Sequence, residues 1–242
     1  MPASLKDQVV LVVGASSGIG RSTALLFAAE GAKVMAAARR GDRLETLKAE
    51  AASAGTPIET CVCDVTDVNQ VESMAAATRA AFGRIQILVF VTGTNTTERA
   101  LPRLKPAIWD DMIATNLNGA YYCAQAVLPE MREAKFGHMI FVSSTSALAA
   151  DGSGAAYQSS KRALNGLSHA IRLEEKENGI RTTVVCPGMV DSELLDRRPV
   201  QPTPEQRAMA LLPEHVAEAI LSCAMMPPRA VIPELHILGS AF

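Results

Sequence analysis

The sequence has no surplus of basic charge. Its 242 residues include 23 Lys and Arg against 25 Asp and Glu, which gives a formal net charge of -2. Proteins that bind nucleic acid or anionic membrane surfaces usually carry a basic surplus or a basic patch. The charge balance therefore argues against both classes of partner.

Long apolar runs are missing as well. No run reaches the roughly 18 consecutive apolar residues that suggest a membrane helix. Residues 1–7 also lack the charged segment and apolar core of a secretory leader. We expect a soluble, cytoplasmic protein with no membrane partner.

The cysteines do not show the pattern of a disulfide scaffold, and the histidines do not show the spacing of metal ligands. The five cysteines are odd in number and scattered along the chain, which is unlike a disulfide scaffold and typical of small apolar residues in a reducing compartment. The four histidines lack the paired spacing of metal ligands. We therefore expect structural cysteines and no bound metal.

The chain does contain a regular alternation of short apolar runs and helical stretches. The run at 9–13 is rich in β-branched residues and typical of a strand buried on both faces. The same patterns predict strands at 9–13, 33–37, 58–63, 87–91, 137–142, 181–186 and 235–238, and helices at 21–30, 44–54, 68–82, 107–134, 155–178 and 213–225.

This alternation predicts βαβ units with right-handed crossovers. We expect one Rossmann-type, doubly wound α/β domain over residues 1–242, with a seven-stranded parallel sheet and helices on both faces. Pro233 places the last strand at a sheet edge, because proline cannot donate to a ladder.

A glycine-rich turn follows the first strand and opens the first helix. Its glycines let the backbone approach a pyrophosphate, and the helix N-terminus supplies N–H groups and a positive dipole end. An ordinary tight turn is the alternative. The predicted cofactor-binding residues of the turn are Gly14, Ser16, Ser17, Gly18, Ile19 and Gly20.

Arg39 and Arg40 follow the second strand, and Ala38 stands before them. In dinucleotide folds an acid at this place binds the ribose 2′-hydroxyl, whereas arginine accommodates a 2′-phosphate. The pair predicts NADP(H) rather than NAD(H). A solvated basic loop would give the same sequence.

Tyr157 and Lys161 stand four positions apart in a predicted helix, so their side chains share one face. A fixed cation favours the phenolate, and we expect Lys161 to lower the pKa of Tyr157 so that it can move a proton. The alternative is an ordinary surface pair. Hydroxyls at 143–146 follow the fifth strand, where ligands bind in open parallel sheets.

Residues 189–213 differ in composition from the rest of the chain. The segment combines three prolines with a dense mix of charges. We expect a substrate lid beside the cleft, and a plain surface excursion is the alternative.

These residues together resemble the short-chain dehydrogenase/reductases along essentially the whole chain. The turn looks like the family's Gly-x-x-x-Gly-x-Gly motif, and Asp64 looks like its acid near the adenine. Ser144 precedes Tyr157 by the family's spacing between active-site serine and tyrosine. Pro187-Gly188 looks like the dipeptide beside the nicotinamide.

The resemblance implies a role for each matching position. Tyr157 would be the general acid in reduction and the base in oxidation, and Ser144 would bind the substrate oxygen. Lys161 would hold the nicotinamide ribose, and Asn116 would anchor a water relay to it. The further cofactor-binding positions implied are Arg39, Arg40, Asp64, Val65, Gly93, Tyr157, Lys161, Pro187, Gly188, Val190 and Ser192.

The chain departs from the family pattern at three places. Where the family usually has Asn-Asn-Ala-Gly, this chain has Phe90-Val91-Thr92-Gly93 and keeps only the glycine. Val13 and Ser192 each replace a frequent threonine. Because the family motif supports the central sheet and the cofactor, the Phe90-Val91-Thr92 replacement is expected to affect the local geometry and the cofactor affinity.

The leading hypothesis is an NADP-dependent carbonyl reductase that interconverts a small ketone and a secondary alcohol. The end of the chain is similar to a family branch that oxidises small 3-hydroxy acids and amino alcohols. A 3-oxoacyl-thioester reductase is an alternative, with Arg197 and Arg198 as a basic entrance. A non-catalytic NADP-binding scaffold is another. Analogy with the family implies a homodimer or homotetramer.

Overall fold

A computed structural model describes residues 4–240, and its centre is a sheet of seven parallel strands. The strand order is β3-β2-β1-β4-β5-β6-β7, and every neighbouring pair is parallel. The predicted fold class is confirmed. The strands are β1 (Val9–Val13), β2 (Lys33–Ala38), β3 (Glu59–Val62), β4 (Ile87–Phe90), β5 (Gly137–Val142), β6 (Ile180–Pro187) and β7 (Glu234–Ile237).

The strand order reverses between β1 and β4. The chain first winds outward from β1 to β3, then returns to the other side of β1 and continues to β7. Ligands of open α/β sheets bind outside the carboxyl ends of the strands at such a switch point. The topology therefore places a candidate site at this edge before any side chain is considered.

Helices cover both faces of the sheet. On one face lie α1 (Gly18–Ala29), α2 (Gly41–Ser53) and α8 (Pro213–Ala224), and on the other α3 (Val68–Phe82), α5 (Gly119–Ala134) and α6 (Ala155–Glu175). Two shorter helices are α4 (Pro106–Ile113) and α7 (Pro204–Ala208). Within residues 4–240, no helix has both the length and the apolar composition needed to cross a bilayer.

The first strand separates two apolar cores. Val10 and Val12 pack into the cluster under α1, α2 and α8, whereas Leu11 and Val13 pack into the cluster under α3, α5 and α6. Successive side chains of a strand point to opposite faces. This is why a continuous apolar run, rather than an alternating one, forms the central strand.

Most of the predicted elements are present, with shifted ends. Helix α3 ends at the predicted residue, and Asp67 caps its start by accepting hydrogen bonds from the Asn69 and Gln70 amides at 2.9 and 3.4 Å. β7 is at the sheet edge, as Pro233 predicts. Helix α1 begins at Gly18 instead of residue 21, because the glycine turn itself forms the first helical turn.

The predicted helix over 107–134 is wrong as a single α-helix. A π-helical turn, Ala114–Asn118, stands between α4 and α5 and holds Asn116. Such π turns recur at functional sites. The pattern of apolar residues does not distinguish them from an α-helix.

Candidate active site

A cleft of about 390 Å³ opens at the carboxyl ends of the strands. Its walls come from the residues that directly follow β1, β2, β3, β4, β5 and β6, together with α6 and the segment after β6. All of the predicted site residues line this cleft except Gly20 and Asn116. Positions as far apart in sequence as Gly14 and Ser192 therefore meet at one place.

The glycine turn is packed so closely that two positions have no room for a side chain. A Cβ on Gly14, whose φ is +102°, would lie 2.7 Å from the Thr92 amide nitrogen. A Cβ on Gly20 would lie 2.3 Å from the Gly14 carbonyl oxygen. Gly20 thus shapes the turn from behind, while Gly14, Ser16, Ser17, Gly18 and Ile19 form its surface on the cleft.

The two arginines after β2 have different surroundings. Arg40 donates from Nε and Nη2 to the Ser16 hydroxyl at 3.1 and 2.9 Å, and from Nη2 to the Ser17 hydroxyl at 2.7 Å. Arg39 is more exposed, and its Nη1 lies 3.6 Å from Asp64 Oδ2. Both guanidinium groups line the cleft beside the glycine turn.

Asp64 follows β3 as a fixed, ionised acceptor. Its Oδ1 accepts hydrogen bonds from the Thr66 amide at 3.0 Å and the Thr66 hydroxyl at 2.8 Å. Burial raises the pKa of Asp64, but the Thr66 hydrogen bonds and the charge of Arg39 outweigh it, so the pKa is lowered. Asp64 thus presents a carboxylate to the cleft next to Val65.

Tyr157 lies in the first turn of α6 and Lys161 in the second, and both are buried. Lys161 Nζ donates to the Val142 carbonyl oxygen at 2.9 Å and stands 5.9 Å from the centre of the Tyr157 ring. Burial lowers the pKa of Lys161 to about 8. A Cβ on Gly93 would lie 3.2 Å from this ammonium, so the glycine leaves it room.

The expected effect of Lys161 on Tyr157 is wrong for this structure. Burial raises the pKa of Tyr157, and the hydrogen bond from Ser144 and the charges of Arg99 and Arg198 only partly offset the rise. Lys161 is directed at the Val142 carbonyl instead of the phenol oxygen. Tyr157 is therefore held as a neutral phenol, the form that donates a proton.

Asn116 lies behind the cleft and joins two of its walls. Its Oδ1 accepts from the Thr94 amide at 2.7 Å, and its Nδ2 donates to the Thr94 carbonyl and the Ser160 hydroxyl, both at 3.0 Å. These bonds tie the loop after β4 to α6. These contacts use the side-chain amide of Asn116. Its role in a proton relay stays a prediction.

The unusual triplet Phe90-Val91-Thr92 spans the end of β4 and is packed into the sheet and the glycine turn. Phe90 is fully buried, and the Val91 amide donates to the Val13 carbonyl at 2.8 Å. Thr92 packs directly against Gly14. The sheet thus accommodates the replacement without opening the turn.

The remaining predicted positions close the cleft from the β6 side. The Gly188 amide donates to the Ile237 carbonyl at 2.9 Å, which fixes the chain after Pro187 against β7. Ser192 approaches the glycine turn, because a Cβ on Gly18 would lie 3.4 Å from the Ser192 Cβ. Val190 is held by a bridge to Leu211, at the two ends of the predicted lid.

Five charged residues of the cleft are not among the predicted site residues. They are Arg99, Asp151, Glu193, Arg197 and Arg198. They come from three separate loops, and no local motif marks Arg99, Asp151 or Glu193. The sequence suggests Arg197 and Arg198 only as a basic entrance.

Comparisons with known proteins extend along nearly the whole chain. A model of the short chain dehydrogenase family matches residues 8–202. An uncharacterized oxidoreductase of Staphylococcus saprophyticus is 34% identical over 244 residues, covering 98% of this chain and 98% of that protein.

Two solved structures illustrate the similarity. A metagenomic short-chain oxidoreductase in complex with NADP is 32% identical, has a TM-score of 0.85, and aligns over 98% of this chain and 100% of its own. The closed form of a serine dehydrogenase complexed with NADP+ is 31% identical, has a TM-score of 0.86, and aligns over 94% of this chain and 93% of its own.

Proposed function

The chain belongs to the short-chain dehydrogenase family, and from that premise we propose that it is an NADP(H)-dependent oxidoreductase acting on CH–OH groups. It interconverts a small ketone or other carbonyl compound and a secondary alcohol. The observation that carries the proposal is that Ser144, Tyr157 and Lys161 share one cleft with the glycine turn.

The residues around the turn fit NADP(H). Two guanidinium groups, Arg39 and Arg40, stand beside the hydroxyls of Ser16 and Ser17, and such a donor set suits a phosphate dianion. The Asp64 carboxylate offers an acceptor for an adenine amine. Two similar structures contain NADP or NADP+, which supports the same cofactor here.

Tyr157 and Ser144 act on the substrate oxygen. When bound, the cofactor supplies the hydride that adds to the carbonyl carbon. Negative charge then develops on the oxygen, where the Ser144 hydroxyl donates a hydrogen bond and the Tyr157 phenol delivers its proton. The product is the alcohol, and Tyr157 is left as phenolate.

Lys161 supports this proton transfer from the side. Its ammonium donates to the Val142 carbonyl and lies 5.9 Å from the Tyr157 ring centre, a position from which it would hold the nicotinamide ribose beside the phenol. Phenolate is then reprotonated from solvent, with Asn116 and Lys161 marking the proposed route. In oxidation the same groups work in the opposite direction.

A 3-oxoacyl-thioester reductase remains the second enzymatic candidate. It would need a basic entrance for a phosphopantetheine carrier. Arg197 is less suited to that role, because its Nη1 donates to the Thr94 hydroxyl at 2.7 Å and to the Asn95 carbonyl at 3.3 Å. The leading proposal predicts faster turnover of free small ketones than of acyl thioesters, and the opposite order would favour the thioester reductase.

The non-catalytic alternative makes a different prediction. A scaffold would bind NADPH tightly and oxidise none of it in the presence of ketones or aldehydes. The joint presence of Asn116, Ser144, Tyr157 and Lys161 argues against it, since binding alone does not need a proton donor. A panel of carbonyl substrates, followed through NADPH absorbance, separates the two.

We also propose a homodimer or homotetramer in the cytoplasm. Helix α6 exposes the small residues Ala163 and Gly166 together with Leu173, whose exposed fraction is 63%. All five cysteines are free, as suits a reducing compartment. Sedimentation that returns only a monomer contradicts the oligomer.

A further inference from the structure

Two guanidinium groups near Tyr157 have no part in the mechanism above. Arg99 and Arg198 both line the cleft. Tyr157 lines the same cleft, and the positive charges of the two arginines oppose the rise in its pKa that burial causes. Burial and the charge of Arg198 also lower the pKa of Arg99.

Arg99 is held rigidly. Its Nε donates to the Thr96 carbonyl at 2.8 Å and its Nη2 to the Arg197 carbonyl at 3.1 Å. The stem packs on Gly154, where a Cβ would lie 2.8 Å from the Arg99 Cβ. Arg99 therefore joins the loop after β4, the loop before α6 and the segment that carries Arg198.

Arg198 is half-buried, and within residues 4–240 its side chain makes no hydrogen bond or ion pair. The carboxylate of Asp151 is near, but it accepts hydrogen bonds from the Ser146 hydroxyl at 2.6 Å and the Ser153 amide at 2.8 Å. Two cations thus face one anion that is already engaged. The part of the cleft near Tyr157 therefore carries a positive charge that no free carboxylate of the described residues balances.

We propose that Arg198, held beside Arg99, binds a carboxylate of the substrate. The inference rests on the proposed function and names its substrate class, a small hydroxy acid and the corresponding keto acid. A guanidinium offers paired N–H donors that match a carboxylate. Arg198, Tyr157 and Ser144 line the same cleft, so a short acid bound there would offer its carboxylate to the guanidinium and its carbonyl group to the phenol and the hydroxyl.

The test compares matched substrates in Arg198→Gln. Reduction of 3-keto acids, beginning with acetoacetate, is measured beside that of their methyl esters. We expect the wild type to favour the acids in kcat/KM by about tenfold or more. Arg198→Gln should raise KM for the acids by about tenfold to a hundredfold with little change in kcat, because a uniform binding contact is lost.

The control is Arg229→Gln, which removes an exposed arginine outside the cleft. Equal kcat/KM for acids and esters in the wild type, or an unchanged KM in Arg198→Gln, overturns the carboxylate site while leaving the proposed function intact. If no carbonyl compound is reduced, the proposed function fails. In that case the shift in Tm with NADP+ and acetoacetate decides the inference, since it must be present in the wild type and lost in Arg198→Gln.

A separate observation concerns Glu193, which lies opposite the arginines after β2. Arg40 Nη1 donates to Glu193 Oε2 at 2.8 Å, and Arg43 pairs with Oε1 of the same carboxylate. These two hydrogen bonds lower the pKa of Glu193, so it is an anion at neutral pH. Glu193 belongs to the segment after β6 and not to the glycine turn.

We infer that Glu193 occupies part of the arginine site that a 2′-phosphate uses. A phosphate dianion competes with the carboxylate for Arg40, whereas a ligand with only a 2′-hydroxyl leaves the pair in place. Glu193 then sets the affinity for the phosphate-bearing cofactor. It also links occupancy of this site to the segment that carries Arg198.

Calorimetric titration with two nucleotide fragments tests this role without turnover. Glu193→Gln should bind 2′,5′-ADP about threefold to tenfold more tightly than the wild type, because two partly exposed charge pairs no longer compete. Binding of 5′-AMP should not change. Glu218→Gln, an exposed carboxylate outside the cleft, serves as the control.

Two results overturn the role of Glu193. One is an unchanged or lower affinity of Glu193→Gln for 2′,5′-ADP, which would mean that the carboxylate orients Arg40 rather than competing for it. The other is an equal gain for both nucleotides, which would reflect only the general change in charge.

Discussion

Replacing Tyr157 with phenylalanine is expected to lower kcat by about a thousandfold. The substitution removes one oxygen from a buried ring and leaves the packing of α6 in place. A positioned general acid contributes on the order of 10²- to 10⁴-fold, and Tyr157 is the proton donor that we propose for reduction. The affinity for NADPH should stay within about threefold of the wild type, because the glycine turn and both arginines are untouched.

Tyr121→Phe is the matched control for this experiment. Tyr121 lies in α5, is 46% exposed and does not line the cleft. Its loss should leave kcat unchanged. If Tyr157→Phe keeps more than about a tenth of wild-type kcat, Tyr157 is not the general acid.

Removing both arginines after β2 is expected to change cofactor choice. In Arg39→Ala/Arg40→Ala, KM for NADPH should rise by about a hundredfold or more, because charged hydrogen bonds to phosphate contribute about 1.5–3 kcal/mol each. KM for NADH should change by less than about threefold, since its 2′-hydroxyl makes no such bond. Each single variant should show a smaller rise, about tenfold.

The control variant here is Arg84→Ala, an exposed arginine that does not line the cleft. It should alter neither KM. An equal increase in KM for NADPH and NADH in the double variant would mean that the arginines act through long-range electrostatics or through folding, and not through the 2′-phosphate. That result would contradict a 2′-phosphate site at Arg39 and Arg40.

Local patterns were enough to predict the framework of this molecule. The apolar run at 9–13 is a strand buried on both faces, and Asp67 caps α3 where its side chain predicts. The glycine turn is at the end of β1, and its two most crowded positions, Gly14 and Gly20, are glycines in the motif. Each of these features depends on residues close in sequence.

What the sequence could not predict depends on residues far apart in the chain. Arg99 meets the Arg197 carbonyl, next to Arg198, only because separate loops converge, and Glu193 reaches Arg40 across 153 positions. The raised pKa of Tyr157 has the same origin, since burial by the whole fold outweighs the nearby charges. The π-helical turn at Asn116 leaves no mark in apolar periodicity.

The most direct test of the proposed chemistry follows the transferred hydrogen. The enzyme is incubated with a small ketone and NADPH that is deuterated at the transferable position of the nicotinamide, and the alcohol is examined by mass spectrometry. We predict that the wild type places deuterium at the carbinol carbon of the alcohol. The rate of this incorporation should be about a thousandfold lower in Tyr157→Phe. Tight binding of NADPH with no deuterium in any alcohol product would contradict the account.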